Sequence, residues 1–197
     1  MLEAKKPLEL IGEFKTLDTI IDFNHPRIEL DMGCGKGRFT TELAKRHPEA
    51  LVMGADIKLD RLRKLNGKAA RAGCEKVEAL HCLGWELFGV QLPDHSIDRV
   101  HILCPDPWPK KAHRRNRMLS SEFMYRVTRK IKKGGSLHLS TDDLPYLEWM
   151  KTVTSQLPCL EPDQEVLADI ADVQTEFEMN FASQDKPVTH LGFRVLA

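Results

Sequence analysis

Residues 27–39 read RIELDMGCGKGRF, a short strand signal that runs into three glycines and then into a helix. Gly33, Gly35 and Gly37 let the backbone come close to a ligand, and the helix N-terminus behind them favours negative charge. The dinucleotide pattern G-x-G-x-x-G is not met, because its last position is Arg38; what remains is G-x-G-x-G. Nineteen residues past Gly37, Asp56 closes the next strand, Ala50–Ile57 (ALVMGADI), where a carboxylate can accept both ribose hydroxyls of a nucleoside. Asp31, two residues before Gly33, can face a ligand ammonium or an ordered water. Taken singly, the glycines make a tight turn and Asp56 caps a helix. Strand, loop, helix, strand and terminal acid together favour a nucleoside cofactor.

Outward from this unit, strands and helices alternate. Phe39–Arg46 reads as a helix stopping near Pro48, and Leu59–Arg71 as a basic amphipathic helix with Gly73 as its C-cap. Val77–Cys82 and Ser96–Leu103 are further strands. Phe123, Val127 and Ile131, four apart, mark a helix that Lys132-Lys133-Gly134-Gly135 closes. Leu137–Ser140 is a strand, Leu144–Leu157 a helix, and Val188–Leu196 a weaker strand signal. This predicts an α/β fold, a doubly wound and mainly parallel sheet with helices on both faces. The 197 residues are expected to form a single domain, with 1–25 as an N-terminal extension. Within it Phe14, Leu17, Ile20 and Ile21 have helical spacing.

A second stretch, HILCPDPWPKKAHRRNR at 101–117, lies where a strand ends. Pro105, Pro107 and Pro109 stiffen the loop, since proline fixes φ and restricts the residue before it. They hold one acid, Asp106, beside Trp108 and ahead of a cationic run. Ligands of open α/β sheets bind outside the carboxyl ends of the strands, so this arrangement points to a phosphate-bearing substrate. Asp106 alone would be a turn residue, Trp108 a core or stacking ring, and the basic run a solvated face. Their position together favours function.

Formal charge is zero, with 29 basic and 29 acidic residues, but it is unevenly spread. Lys110–Lys133 holds ten Lys or Arg against Glu122 alone, and Glu161–Glu178 holds seven acids without Lys or Arg. The first is the footprint expected of a polyanion partner. Five scattered cysteines without metal-ligand spacing read as reduced thiols of a cytoplasmic protein, and none of the eight histidines reads as a metal ligand. No signal peptide and no membrane span is expected.

Taken together, GCGKGRF, GADI, PDPWPKKAHRRNR, STDD and TEFE resemble the bacterial tRNA (guanine-N7-)-methyltransferases, which methylate guanine 46 of the variable loop. The resemblance covers roughly residues 17 to 197. PDPWPKK is its specific part. It implies a Rossmann-like class I methyltransferase sheet, S-adenosyl-L-methionine as cofactor, tRNA as partner, no metal, and a monomer or homodimer. It implies cofactor contacts at Asp31, Gly33, Gly35, Gly37, Asp56, Leu83 and Asp106, with Asp106 also catalytic or base-positioning. Substrate contacts fall at Lys110, Arg114, Arg115, Arg117, Asp142, Thr175, Glu176, Phe177 and Glu178. The chain departs from the family at Leu83, where an acid is usual after the third strand, so adenine contact there rests on backbone or neighbouring groups. It departs too at Ala112 and Asn116 in the basic run, at Asp185, where glycine is usual, and in a short basic N-terminal arm. Two rivals stand beside this expectation: a methyltransferase of the same fold acting on another RNA or a small molecule, and a tRNA-binding homologue weak in catalysis.

Overall fold

The computed structural model describes residues 2–182 and 187–196, with side chains left out at 180–182. Asp185 lies outside the described residues. Eight strands form one sheet: β1 (Leu8–Glu9), β2 (Ile28–Met32), β3 (Leu51–Asp56), β4 (Val77–His81), β5 (Ile97–Leu103), β6 (Ile131–Thr141), β7 (Leu160–Pro162) and β8 (Thr189–Val195). Their spatial order is β1-β4-β3-β2-β5-β6-β8-β7. Every pairing from β1 to β6 is parallel, and β8 runs antiparallel to both β6 and β7. The doubly wound, mainly parallel sheet is therefore present. Strand order reverses between β3 and β5 around β2, and a reversal of this kind opens a crevice above the strand ends.

The helices are α1 (Arg38–Arg46), α2 (Leu59–Arg71), α3 (Gly84–Glu86, continued by wider turns over Leu87–Gln91), α4 (Ser121–Lys130), α5 (Leu144–Ser155) and α6 (Glu176–Ala182). Apolar residues of β2, β5 and β6 such as Leu30, Val100, Ile102, Leu137 and Leu139 form one core with Phe123, Met124, Val127, Tyr146 and Met150 of α4 and α5. On the other face Val52, Val77 and Ala79 pack with Phe39, Leu43, Leu62 and Leu65 of α1 and α2. Helix ends follow local chemistry. Ser120 and Asp143 accept from the amides of Phe123 and Tyr146 at 3.2 and 2.7 Å, N-caps for α4 and α5. α2 ends as expected at Gly73 (φ 72°), with Cys74 N–H donating to Ala69 O and Gly73 N–H to Ala70 O.

Two expectations are corrected. Ile131 is not helical: α4 stops at Lys130, and Ile131 opens β6, fully buried opposite Ile97. Lys132–Gly135 is then an excursion inside the strand, since pairing resumes only at Arg99 and Ser136, and Gly134 at φ 78° makes the turn. Of the N-terminal helical pattern, only a single turn forms at Leu17–Thr19; Leu17 and Ile21 are buried, but Phe14 and Ile20 are exposed.

Candidate active site

The glycine loop, Asp56, Leu83 and Asp106 all lie at or just beyond the carboxyl ends of neighbouring strands β2, β3, β4 and β5. Gly33, Gly35 and Gly37 all have positive φ, at 83°, 55° and 76°. Gly37 is also sterically required, because a Cβ there would stand 2.3 Å from Leu65 Cδ1 and 2.9 Å from Leu65 Cα. Around Gly33 and Gly35 a Cβ would meet only open space, so those two present bare backbone to the crevice.

Asp56 is buried at the tip of β3, and its carboxylate accepts from the Gly35 amide at 3.1 Å and the Lys58 amide at 2.8 Å. Arg61 Nη1 approaches the same group at 3.3 Å. Asp31 is buried at the end of β2, and among the described residues its carboxylate bonds to Thr40 Oγ1 of α1, which donates at 2.6 Å. Burial, with the Asp56 charge adding to it, pushes the Asp31 carboxyl up to about 7, against the pull of the Thr40 bond. A buried acid with no cation facing it fits a ligand ammonium. Leu83, partly exposed just after β4, offers an apolar side chain in place of an acid.

Beyond β5 the chain is held in an unusual shape. Cys104 and Trp108 have φ of 45° and 44°, a region that costs a non-glycine residue roughly 1–2 kcal/mol. Arg117 locks it: Nε donates to Pro107 O at 2.8 Å while the guanidinium lies 4.7 Å above the ring of fully buried Tyr146. Asp106 is exposed and has no hydrogen bond or ion pair among the described residues. Its charge still reaches Tyr146, whose phenol burial pushes up to about 12, with Asp106 adding to the rise. Trp108 is half-buried, its ring edge-on to His113 at 5.9 Å. It is neither a core residue nor an open platform.

The basic run divides into two kinds. Lys110, Arg114 and Arg115 lie exposed on and beside a short 3-10 helix at Lys111–Asn116, with no ion pair among the described residues. Arg126 pairs with Glu122, Arg129 and Lys130 with Asp94, and Lys132 with Asp98. Arg117 belongs to the Asp106 loop rather than to the open group.

Of the two acidic motifs, STDD supplies half-buried Asp142 beside the Asp143 cap. In TEFE, Thr175 and Glu178 form a reciprocal cap: Glu178 Oε2 accepts from Thr175 N at 2.5 Å, and Thr175 Oγ1 from Glu178 N at 3.1 Å. Glu176 reaches Lys68 at 2.8 Å and Lys36 of the glycine loop at 3.7 Å. Phe177 is exposed. Sequence reasoning missed Thr40, and also a row of polar side chains, buried Glu29, His101 and His138 and half-buried His190. The only available signal was a histidine inside each of three apolar strands.

This glycine crevice with its two buried acids is what a family model described as "Putative methyltransferase" covers, matching residues 26–191. The chain belongs to this methyltransferase family. A tRNA (guanine-N(7)-)-methyltransferase from Acinetobacter baylyi is 34% identical over 155 residues, 78% of this chain and 63% of that protein. One from Nitrosococcus oceani is 36% identical over 127 residues, 64% of this chain and 54% of its own. The chain thus matches little more than half to three-fifths of the length of these curated relatives. Among solved structures, the 16S rRNA methyltransferase KamB superposes with TM-score 0.64 at 18% identity, over 88% of this chain and 89% of its own. The aminoglycoside resistance methyltransferase NpmB1 gives 0.63 at 19%, over 100% and 95%. These two share the methyltransferase fold. No helix among the described residues is long and apolar enough to cross a membrane, and no group of three or more His, Cys, Asp or Glu among them is arranged to hold a metal.

Proposed function

We propose that this chain transfers the methyl group of S-adenosylmethionine to N7 of guanine 46 in the variable loop of tRNA, as a single-domain cytoplasmic enzyme. One observation carries the reading: Asp106, a carboxylate with no hydrogen bond or ion pair among the described residues, sits between prolines in a loop that Arg117 locks beyond β5, followed by cations likewise unpaired among those residues. The names of the relatives support the same substrate, and five cysteines without a disulfide agree with the setting.

Bound in the crevice, S-adenosylmethionine supplies a sulfonium methyl group open to in-line displacement. Asp31 would face its ammonium, Asp56 its ribose hydroxyls, and the Gly33 to Gly37 backbone its length, with Leu83 as an apolar contact for the adenine. Guanine N7 already carries a lone pair, so no residue has to remove a proton from it. Rate then depends on alignment and charge placement. Asp106 accepts hydrogen bonds from the guanine N1–H and amino group, and its negative charge favours the positive charge that develops on the ring. Asp142 and the Thr175–Glu178 turn are further contacts on that side. Lys110, Arg114 and Arg115 hold phosphates, and Arg117 couples that path to the Asp106 loop.

The test is incubation with bulk tRNA and labelled S-adenosylmethionine, followed by nucleoside analysis. Label in 7-methylguanosine is expected, and it should vanish on a tRNA with adenine at position 46. A protein that binds tRNA yet forms no 7-methylguanosine overturns the reading.

A further inference from the structure

Between β2 and α6 five side chains form an unbroken series of hydrogen bonds across the sheet. Glu29 Oε2 lies 2.9 Å from His101 Nε2, and His101 Nδ1 lies 3.0 Å from His138 Nδ1. His138 Nε2 lies 2.8 Å from His190 Nδ1, and His190 Nε2 lies 2.7 Å from Glu178 Oε1. Glu29 and His101 are fully buried, His138 nearly so, and Phe39 of α1 covers both rings with its edge.

Four hydrogen bonds in series need four protons, whatever the tautomers. Three neutral imidazoles supply three, and the carboxylates at the two ends supply none. Glu29 stays ionised, because Arg27 bonds it, Arg99 Nε stands 3.9 Å away and His47 Nε2 3.9 Å away, with Asp169 behind them. At the other end Glu178 is held by the Thr175 amide, and the Cys104 thiol is within reach of its charge. One imidazole is therefore an imidazolium. Burial disfavours the charge on His101 and His138, and His190 is the ring of the three with access to solvent.

We propose that the Glu29–His101–His138–His190 series is a positioning relay for Glu178, whose one excess proton seats the substrate-side helix α6. This rests on reading Thr175–Glu178 as tRNA contacts. A helix of seven residues has little stability of its own and depends on its docking. When the series loses its excess proton, three protons remain for four bonds and one bond goes unmade. The relay places that unmade bond at the solvent-side end, between His190 Nε2 and Glu178 Oε1, where two acceptors 2.7 Å apart would push Glu178 from its cap and loosen α6. The Lys68 and Lys36 bonds to Glu176 keep the helix attached, so the loss falls on substrate affinity and not on the fold.

The experiment is nitrogen-15 spectroscopy of the histidine rings in the full chain, paired with tRNA kinetics. One of His101, His138 and His190 should show both ring nitrogens protonated, and KM for tRNA should rise several-fold, at constant kcat, over the pH range in which that signature is lost. In Glu178→Gln the amide donates to His190 Nε2, so the same four bonds form with neutral rings. The imidazolium signature should vanish and KM become flat with pH. Three neutral rings in the parent protein overturn the relay, a result that needs no folded variant. So does a variant that keeps the pH-dependent KM. If the ring signatures appear as stated but no tRNA is methylated, the relay stands and the substrate reading falls.

Discussion

The acidic stretch at 161–178 and the basic run at 110–117 each carry charge of a single sign, and they use it in opposite ways. Asp163 pairs with Arg194, Asp169 with Arg99 through both oxygens, Asp172 with Arg46 likewise, Glu176 with Lys68, and Glu178 with His190. Partners hold the carboxyls of Asp169, Asp172, Glu176 and Glu178 below the usual range. This stretch is a clamp that fastens the segment between β7 and β8 to α1, α2 and β5. Lys110, Arg114 and Arg115 have no such partners among the described residues. Asp106 beside them is equally bare, and Asp31 has no ion pair among the described residues, so burial and the Asp56 charge move its carboxyl up instead of down. Charge that the fold has not matched is the charge left for ligands.

If so, removing unmatched charge should damage function while sparing the fold. The largest effect is expected at Asp106. Asn is nearly isosteric, so melting temperature and the salt dependence of tRNA binding should be unchanged, while single-turnover methylation slows by about 10²–10³, as for loss of one preorganised electrostatic contact. Normal turnover in Asp106→Asn would make this acid structural and break the comparison. Next is Asp56→Ala, expected to weaken S-adenosylmethionine by about 1.5–3 kcal/mol, the range for hydrogen bonds to a charged group. The Gly35 and Lys58 amides lose their acceptor as well, so stability should be measured alongside. Calorimetry showing full affinity would remove Asp56 from the cofactor site.

Replacing Arg114 and Arg115 with Ala should flatten the dependence of log affinity on log salt by about 0.7–0.9 per lost phosphate contact, with cofactor affinity untouched. An unchanged slope would return both to the solvated surface. Asp31 predicts a gentler dependence. With its carboxyl up to about 7, binding of a cationic ligand releases a proton at lower pH. Affinity for S-adenosylmethionine should rise by at most about tenfold per pH unit up to about 7, then level off. The ligand-free fold has the reverse sign, since it keeps a proton that the unfolded chain loses and is destabilised as pH rises through that window. A flat binding profile would mean that the ammonium does not face Asp31.

How legible this was from the sequence depends on how local the cause is. The glycine loop, Asp56 and the proline-bracketed Asp106 were readable because neighbouring residues dictate their conformation. Ile131 was misread because spacing by four continues the helix, whereas pairing with Ile97 and full burial decide for the strand. β1 has only two residues and exists through its pairing with β4. The histidine series joins residues 37 and 52 positions apart, so no window of sequence could contain it. The sign of the acidic stretch was plain, but its partners lie up to 142 residues away in Arg27 and its neighbours.

The smallest effect is the sharpest check. Asp172 is bound through both carboxylate oxygens by Arg46, at 2.5 and 2.8 Å, and its carboxyl is lowered to about 2. Asp172→Asn removes one negative charge from the protein, as many as Asp106→Asn does. If bulk charge governs tRNA binding, the added net positive charge should tighten it. If matching governs, the salt slope and the methylation rate should both be unchanged, because Arg46 lies on α1, away from the Lys110–Arg115 path. Any change should be confined to stability, and should be small for an ion pair in contact with water. A slope steeper by one contact would show that Arg46, once released, reaches the RNA. The acidic stretch would then act as a mask over cationic surface, and the division between the two regions would be one of degree.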